Sequence, residues 1–339
     1  MAPEFCMDSG PPASIRAMRF LQVTELEGRY VASLTETERP VPREGEVLVR
    51  VAASGVNRAD LLQIAGRYPS PPGEPDSIGL ELSGTTDETG EAVCALVAGG
   101  GHAEYVAAPV GQVFPAPAGL DLVAAAGIPE AFLTAFLTLV VEGGLARGET
   151  LLVHAGASGV GLAAIQLGKR MGARVAATTR TSEKVAALEG AGADLAIHAG
   201  RAGRHDFAEQ IEERWGPDVV DVVLDPIGAP SLSANMRVLA TGGRVVVIAT
   251  MAGARAELDL ALLMRKRARL LASTLRARSR AEKSAIVARF RREILAGFTS
   301  GELRVPVDSV FPAHRAAEAF QRMRENRNVG KILIAWPRD

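Results

Sequence analysis

The sequence predicts an α/β protein in which a compact β-barrel is joined to a six-stranded parallel sheet of the dinucleotide-binding kind. Three observations predict it. Residues 151–184 run strand, glycine turn, helix, strand. The alternation of apolar runs and helical patterns then continues to about residue 275. Before residue 117, by contrast, short β-branched runs are divided by Gly and Pro, the pattern of a small barrel.

The unit at 151–184 carries the chemistry. An apolar run at 151–155 is followed by Gly156, Ser158, Gly159, Val160 and Gly161, then by a helical pattern ending at Gly172, then by a buried run at 174–178. Glycines at such a turn let the backbone bend sharply. They also let a pyrophosphate lie against bare N–H groups at the positive end of a helix. Ser158 takes the middle glycine position of the usual spacing, and the alternative is an ordinary close-packed β–turn–α corner. At the tip of the second strand stand Thr179, Arg180, Thr181, Ser182, Glu183 and Lys184. A site for NAD places an acid at the strand tip to bind the ribose 2′-OH, whereas cations there suit a 2′-phosphate. Arg180 and Lys184 therefore predict NADPH, unless they are solvated residues offset by Glu183.

Composition bounds the rest. The 339 residues suffice for two domains with cores. A net charge of −1 creates no field that draws the chain to nucleic acid or a membrane. Two cysteines, Cys6 and Cys94, make neither a disulfide framework nor a four-thiolate zinc site, and fit a reducing compartment. The polar, Pro-rich residues 1–17 lack the pattern of a signal peptide and are expected to be a disordered or cloning-derived extension. The most apolar stretch, 122–141, is broken by Pro129 and Glu130, so no membrane span is predicted and the expected location is cytoplasmic.

In chain order, candidate strands lie at 19–23, 29–34 and 46–53, and a short helix starts after Asn57. Residues 66–73 form a stiff Pro-rich loop that holds Tyr68 at modest entropic cost. Beyond 151–184, strands are expected at 193–197, 219–225, 243–248 and 270–275, with helices at 206–215 and 231–239 between them. Cofactor contacts belong just past strand C-termini. The candidates are Asp225, Ile227, Ala249, Thr250, Met251, Ser273 and Leu275. Residues 280–295 read as an amphipathic helix, and 330–335 as a closing strand that returns to the barrel. The basic residues Arg265, Lys266, Arg267, Arg269, Arg276, Arg278 and Arg280 lack interleaved aromatics, so a solvated surface is expected.

The segments GVNRADLLQIAGRYPSPPG, IGLELSG, GGGHAEYVAAP, AAAGIPEAFLTAF, HAGASGVGLAAIQLGK and NVGKILI resemble the medium-chain dehydrogenase/reductase superfamily. Within it they are most similar to the zinc-free quinone oxidoreductases related to zeta-crystallin, especially the p53-inducible quinone oxidoreductase type. The resemblance runs from about Met18 to the C-terminus. It implies a GroES-like catalytic barrel (18–135 and, on return, 276–339), a Rossmann domain (136–275), NADPH and a homodimer. It also implies no metal: Asn57 and Leu80 stand where zinc enzymes of the superfamily have Cys and His ligands, and Glu81 alone remains. By the same resemblance, Asn57, Asp60 and Tyr68 line the substrate side of the cleft. Thr134 approaches the nicotinamide end, Ser158, Gly159 and Val160 hold the pyrophosphate, and Lys184 meets the 2′-phosphate. Asn328, Gly330 and Lys331 make a C-terminal cofactor contact. Ala199 departs from the family, which often has Tyr there.

Each polar residue also has a plainer role open to it. Asn57 can cap the following helix, Asp60 can pair with Arg58 or Arg67, Tyr68 can pack the loop, and His102 can serve a turn. The expected activity is NADPH-dependent reduction of a quinone, with catalytic Tyr68, Asn57 and Asp60. The alternatives are reduction of an alkenal or enoyl double bond and, in another class, an NADPH-binding sensor or structural protein with negligible turnover.

Overall fold

The structure, a computed structural model, describes residues 17–26, 29–200 and 206–337. Of the expected extension at 1–17, residues 1–16 lie outside them and Ala17 is the first residue of a strand. The chain starts with an antiparallel hairpin, β1 (Ala17–Leu26) and β2 (Arg29–Glu38). Leu21 N–H donates to His102 O across 2.9 Å and ties the hairpin to the barrel.

The barrel is built around β3 (Glu46–Val56), whose Val49 and Val51 point into one apolar core. After β3 come α1 (Arg58–Ile64), β4 (Glu81–Thr86), β5 (Ala92–Leu96), β6 (Tyr105–Pro109) and β7 (Val113–Pro115). The last strands of the chain, β14 (Val307–Pro312) and β15 (Lys331–Ala335), complete the sheet. Its order is β14-β15-β3-β4-β5-β7, with β6 on the other part of β3. The tail thus returns to the first half, with β15 antiparallel to β3.

Two helices lead out of the barrel, α2 (Leu122–Ala125) and α3 (Pro129–Phe136). Pro129 occupies the first turn of α3, where its missing N–H costs nothing. The helix continues as a wider π-type stretch, Leu137–Glu142, across the boundary expected at 135/136. Its apolar side belongs to the same core as the dinucleotide-type sheet.

That sheet comprises β8 (Thr150–Val153), β9 (Arg174–Thr179), β10 (Leu195–His198), β11 (Val220–Asp225), β12 (Leu239–Val247) and β13 (Arg269–Ala272). All five pairings are parallel and the order is β10-β9-β8-β11-β12-β13. The six-stranded Rossmann arrangement expected from the alternation is the one observed. Side chains alternate between faces: Leu151 and Val153 pack with one layer of helices, Leu152 with the other. The first layer includes α4 (Gly159–Arg170), and α5 (Val185–Gly190) adds Leu188 to it. The second includes α6 (Asp206–Trp215) and α7 (Leu232–Val238), through Ile211 and Met236. The order reverses between β8 and β11, and a sheet of this kind binds its ligand outside the strand ends at such a point.

The remaining α-helices among the described residues are α8 (Leu260–Lys266), α9 (Arg280–Glu293), α10 (Ala296–Thr299) and α11 (Ala316–Arg324). Two members of the basic cluster correct the expectation of a solvated surface. Lys266 is buried, its Nζ donating to Asp218 Oδ1 at 2.6 Å and to Arg237 O and Leu239 O at 2.5 and 2.7 Å. Arg276 is buried as well. Backbone carbonyls and loop oxygens, which no periodicity announces, supply the acceptors.

Candidate active site

The glycine turn sits between β8 and α4, at the reversal of the sheet. Ala155 adopts φ 50°, and Ser158 caps α4 by accepting from Gly161 N–H at 3.0 Å. A side chain at Gly161 would come within 2.5 Å of Ala155 O, so the turn is as tight as the strand-to-helix approach requires. Gly159 and Val160 open the helix, with their N–H groups at its positive end. Gly156 packs against Ala177 and Leu188. The C-terminal segment lies alongside, with Gly330 N–H donating to Ala157 O at 2.9 Å.

At the tip of β9, Thr179 is buried and Arg180 exposed. Lys184 Nζ donates to Asn326 O and Asn328 O at 2.7 and 2.8 Å, so Asn328 enters the site through its carbonyl. Arg58 reaches the same loop, its Nη2 lying 2.6 Å from Asn326 Oδ1. Burial and then the charge on Arg180 push both Lys184 and Arg58 below their ordinary pKa values. Ala199 follows β10, its N–H on Thr179 O at 2.9 Å.

At the other strand ends, Asp225 is fully engaged within the protein. It accepts from Ile227 N–H and Gly228 N–H at 2.6 and 3.0 Å, and from Ser231 Oγ and Asn235 Nδ2 at 2.7 and 2.9 Å. Its carboxylate shapes the turn that presents Ile227. Thr250 and Met251 are exposed past β12 and Ala249 is partly so. Ser273, just past β13, has a buried Oγ with no partner among the described residues, while neighbouring Leu275 is buried. A buried hydroxyl without a partner is costly. With the bare N–H groups at the start of α4 and the cations past β9, it gives a surface whose chemistry fits a dinucleotide.

The barrel end centres on Glu81. This fully buried carboxylate pairs with Lys331, accepts from Asn57 Nδ2 at 2.9 Å and receives Glu130 N–H at 2.8 Å. Lys331 Nζ also donates to Asn57 Oδ1 at 2.7 Å and Val56 O at 3.2 Å. The lysine stem passes Gly159, where a Cβ would stand 2.5 Å from Lys331 Cδ. Lys331 and Asn57 are thus drawn into an ion-pair cluster beside the glycine turn. Thr134 is half-buried on α3, and its carbonyl accepts from Thr138 Oγ1 at 2.7 Å.

Sequence reasoning missed Glu130. Burial and then the Glu81 charge raise its carboxyl to about 8, so it holds its proton at neutral pH. An acid alone in the apolar stretch 122–141 was the available signal. Tyr68 is part-buried under the Arg276 guanidinium, and burial followed by the Glu130 charge raises its phenol. Arg276 was also missed as part of this site.

Asp60 is placed differently from a cleft-lining residue. It is fully buried, accepting from Asn57 N–H at 2.7 Å and Gly79 N–H at 3.1 Å, with His102 Nε2 at 3.5 Å. His102 Nδ1 is 2.7 Å from Ser54 Oγ, which also accepts from Trp336 Nε1 at 3.0 Å. Serine, histidine and aspartate here have the composition of a hydrolytic triad, but all are closed to solvent and tie α1, β3 and the C-terminus together.

A barrel completed by the chain's own C-terminus, joined to a Rossmann sheet whose first strand opens a glycine turn, defines the class: an NAD(P)-binding oxidoreductase of two domains. Residues 43–118 match the alcohol dehydrogenase GroES-like domain, and residues 159–290 match the family described as zinc-binding dehydrogenase. The quinone oxidoreductase of Lama guanicoe is 29% identical over 94% of this chain and 98% of its own. Among solved structures, mycobacterial Rv1454c complexed with NADPH superimposes with a TM-score of 0.82 at 28% identity, covering 94% of this chain and 99% of that one. The CurK enoyl reductase gives 0.81 at 25% identity over the same shares. The chain belongs to the medium-chain dehydrogenase/reductase superfamily and, within it, to the zinc-free quinone oxidoreductase-like family. Among the described residues no group of three or more His, Cys, Asp or Glu side chains is arranged to hold a metal ion, and no helix is long and apolar enough to cross a membrane.

Proposed function

We propose that the protein is an NADPH-dependent, zinc-independent reductase of quinones. The observation that carries the cofactor reading is the cation-lined tip of β9, where Arg180 and Lys184 stand and no acid takes the ribose-binding place. The Rv1454c complex with NADPH supports it. NADPH supplies the hydride when bound. The glycine turn would hold its pyrophosphate, and Ser273 and Leu275 its nicotinamide side. The pairing of Glu81 with Lys331 and Asn57 supports the zinc-free reading, because the one remaining acid is already neutralised.

Tyr68 would bind the acceptor oxygen as negative charge develops on it, with its phenol kept protonated by burial. An electron-poor quinone needs little further polarisation. Asn57 would contribute by orienting Lys331 and Glu81 behind the site. Asp60 would contribute by fixing α1, from which the Tyr68 loop departs. The likeness to CurK favours one second reading, reduction of an enoyl or alkenal double bond. The reading includes a cytoplasmic homodimer joined through β13, the sheet's edge strand, near exposed Leu260, Met264 and Leu270.

Absorbance assays of NADPH consumption with quinones and with enals test the reaction. Turnover of quinones supports the first reading and turnover of enals alone the second. NADPH binding without turnover of either would leave a sensor or structural role.

A further inference from the structure

We infer that Arg58, from the barrel domain, is a third cation of the site that takes the cofactor's 2′-phosphate, so that both domains close on one anion. The inference rests on the NADPH reading and adds a residue and a consequence to it. Arg58 opens α1, far in sequence from β9, and its Nη2 donates to Asn326 Oδ1 at 2.6 Å. Lys184 Nζ holds the carbonyl of the same Asn326 at 2.7 Å. One asparagine, in the left-handed conformation at φ 55°, therefore holds a cation from each domain.

Among the described residues, none of Arg58, Arg180 and Lys184 is paired with a carboxylate. Asp308, the acid that acts on Lys184, is occupied by Arg322 at 2.5 and 2.9 Å and by Val329 N–H at 2.8 Å. Arg322 also adds to the positive field at Lys184. Part-buried cations that repel one another and lack an anion are held at a cost, and a dianionic phosphate between them relieves it. Guanidinium groups suit such a site because their planar donors match phosphate oxygens.

Binding of the 2′-phosphate would draw α1 toward β9. Asp60, two residues past Arg58, is anchored to Asn57 and Gly79, so the barrel would follow as a unit. Phosphate recognition and closure of the substrate cleft would then be one event.

Calorimetric titration of the full chain with 2′,5′-ADP and, in parallel, 5′-AMP tests this. The wild type should prefer 2′,5′-ADP. Arg58→Ala should weaken 2′,5′-ADP about tenfold and leave 5′-AMP unchanged. Arg58→Gln, which keeps a donor for Asn326, should lose the preference likewise, and Arg58→Lys, which keeps the charge without the planar fork, should retain part of it. Equal weakening of both ligands, or of neither, in the Ala and Gln variants would overturn the inference. If Arg180→Ala removes the preference while Arg58→Ala does not, the NADPH reading stands and Arg58 is outside the site. A wild type without preference for 2′,5′-ADP would overturn both.

Discussion

The guanidinium carbon of Arg276 lies 4.9 Å from the centre of the Tyr68 ring. The same group donates to Tyr68 O at 3.3 Å, Ala98 O at 2.7 Å, Gln63 Oε1 at 2.9 Å and Ser70 Oγ at 3.0 Å. Arg276 directly follows Leu275, so the end of the Rossmann sheet grips the Pro-rich loop of the barrel. Arg276→Ala is expected to lower kcat/KM for the acceptor about tenfold, or about 1.4 kcal/mol. NADPH affinity should stay the same. Arg276→Lys should rescue little, because an ammonium cannot reproduce the planar fork. Steady-state kinetics beside a binding titration checks this, and an equal loss of cofactor affinity would contradict it.

Glu130 predicts a pH dependence of stability. Its carboxyl is raised from 4.5 to about 8, by burial first, then by Glu81 and Asp60, against the opposing charges of Lys331 and Arg276. Tyr68 faces it as well. Between these two values the folded protein keeps a proton that the unfolded chain releases. This group's contribution therefore declines as pH rises across that window and levels off above about 8. Glu130→Gln should flatten the decline. Melting temperatures of wild type and variant across the window measure it, and parallel curves would refute it.

Lys331→Met is expected to destabilise the fold by about 3–5 kcal/mol, because Glu81 would be left as an uncompensated buried charge. Adding Glu81→Gln to that variant should restore part of the loss. Denaturant unfolding of the single and double variants gives both values.

Tyr68→Phe should slow quinone reduction about a hundredfold, the scale for removing one donor to a developing oxyanion. NADPH affinity should be intact. An unchanged rate would remove the phenol from the mechanism.

The parallel sheet and its glycine turn were legible because they repeat local signals: apolar runs of strand length, a helical period, and glycines at the corner. The six strands fall where those signals stand, with ends differing by a residue or a few. The last expected strand, 270–275, forms a ladder only at Arg269–Ala272, since Ser273 and Leu275 turn away past the sheet. The barrel's polar cluster was less legible. Lys331 and Glu81 are 250 positions apart, and nothing near either residue indicates the other.

Arg276 and Lys266 looked like their solvated neighbours because their acceptors are mostly carbonyls and loop oxygens. Asp60 is three residues past Asn57, a spacing that allows the return hydrogen bond seen here, but its burial depends on Gly79 and His102 arriving from elsewhere. For Arg58 the sequence offers only a local partner, Asp60. Its reach to Asn326 depends on the C-terminal segment folding back beside α1.

The most direct measurement is steady-state oxidation of NADPH by the full-length protein with a simple quinone, run in parallel with NADH and with an enal. The account predicts turnover with the quinone, faster with NADPH than with NADH. Binding of NADPH with no consumption on either acceptor would contradict the enzymatic reading. A preference for NADH would contradict the roles given to Arg58, Arg180 and Lys184.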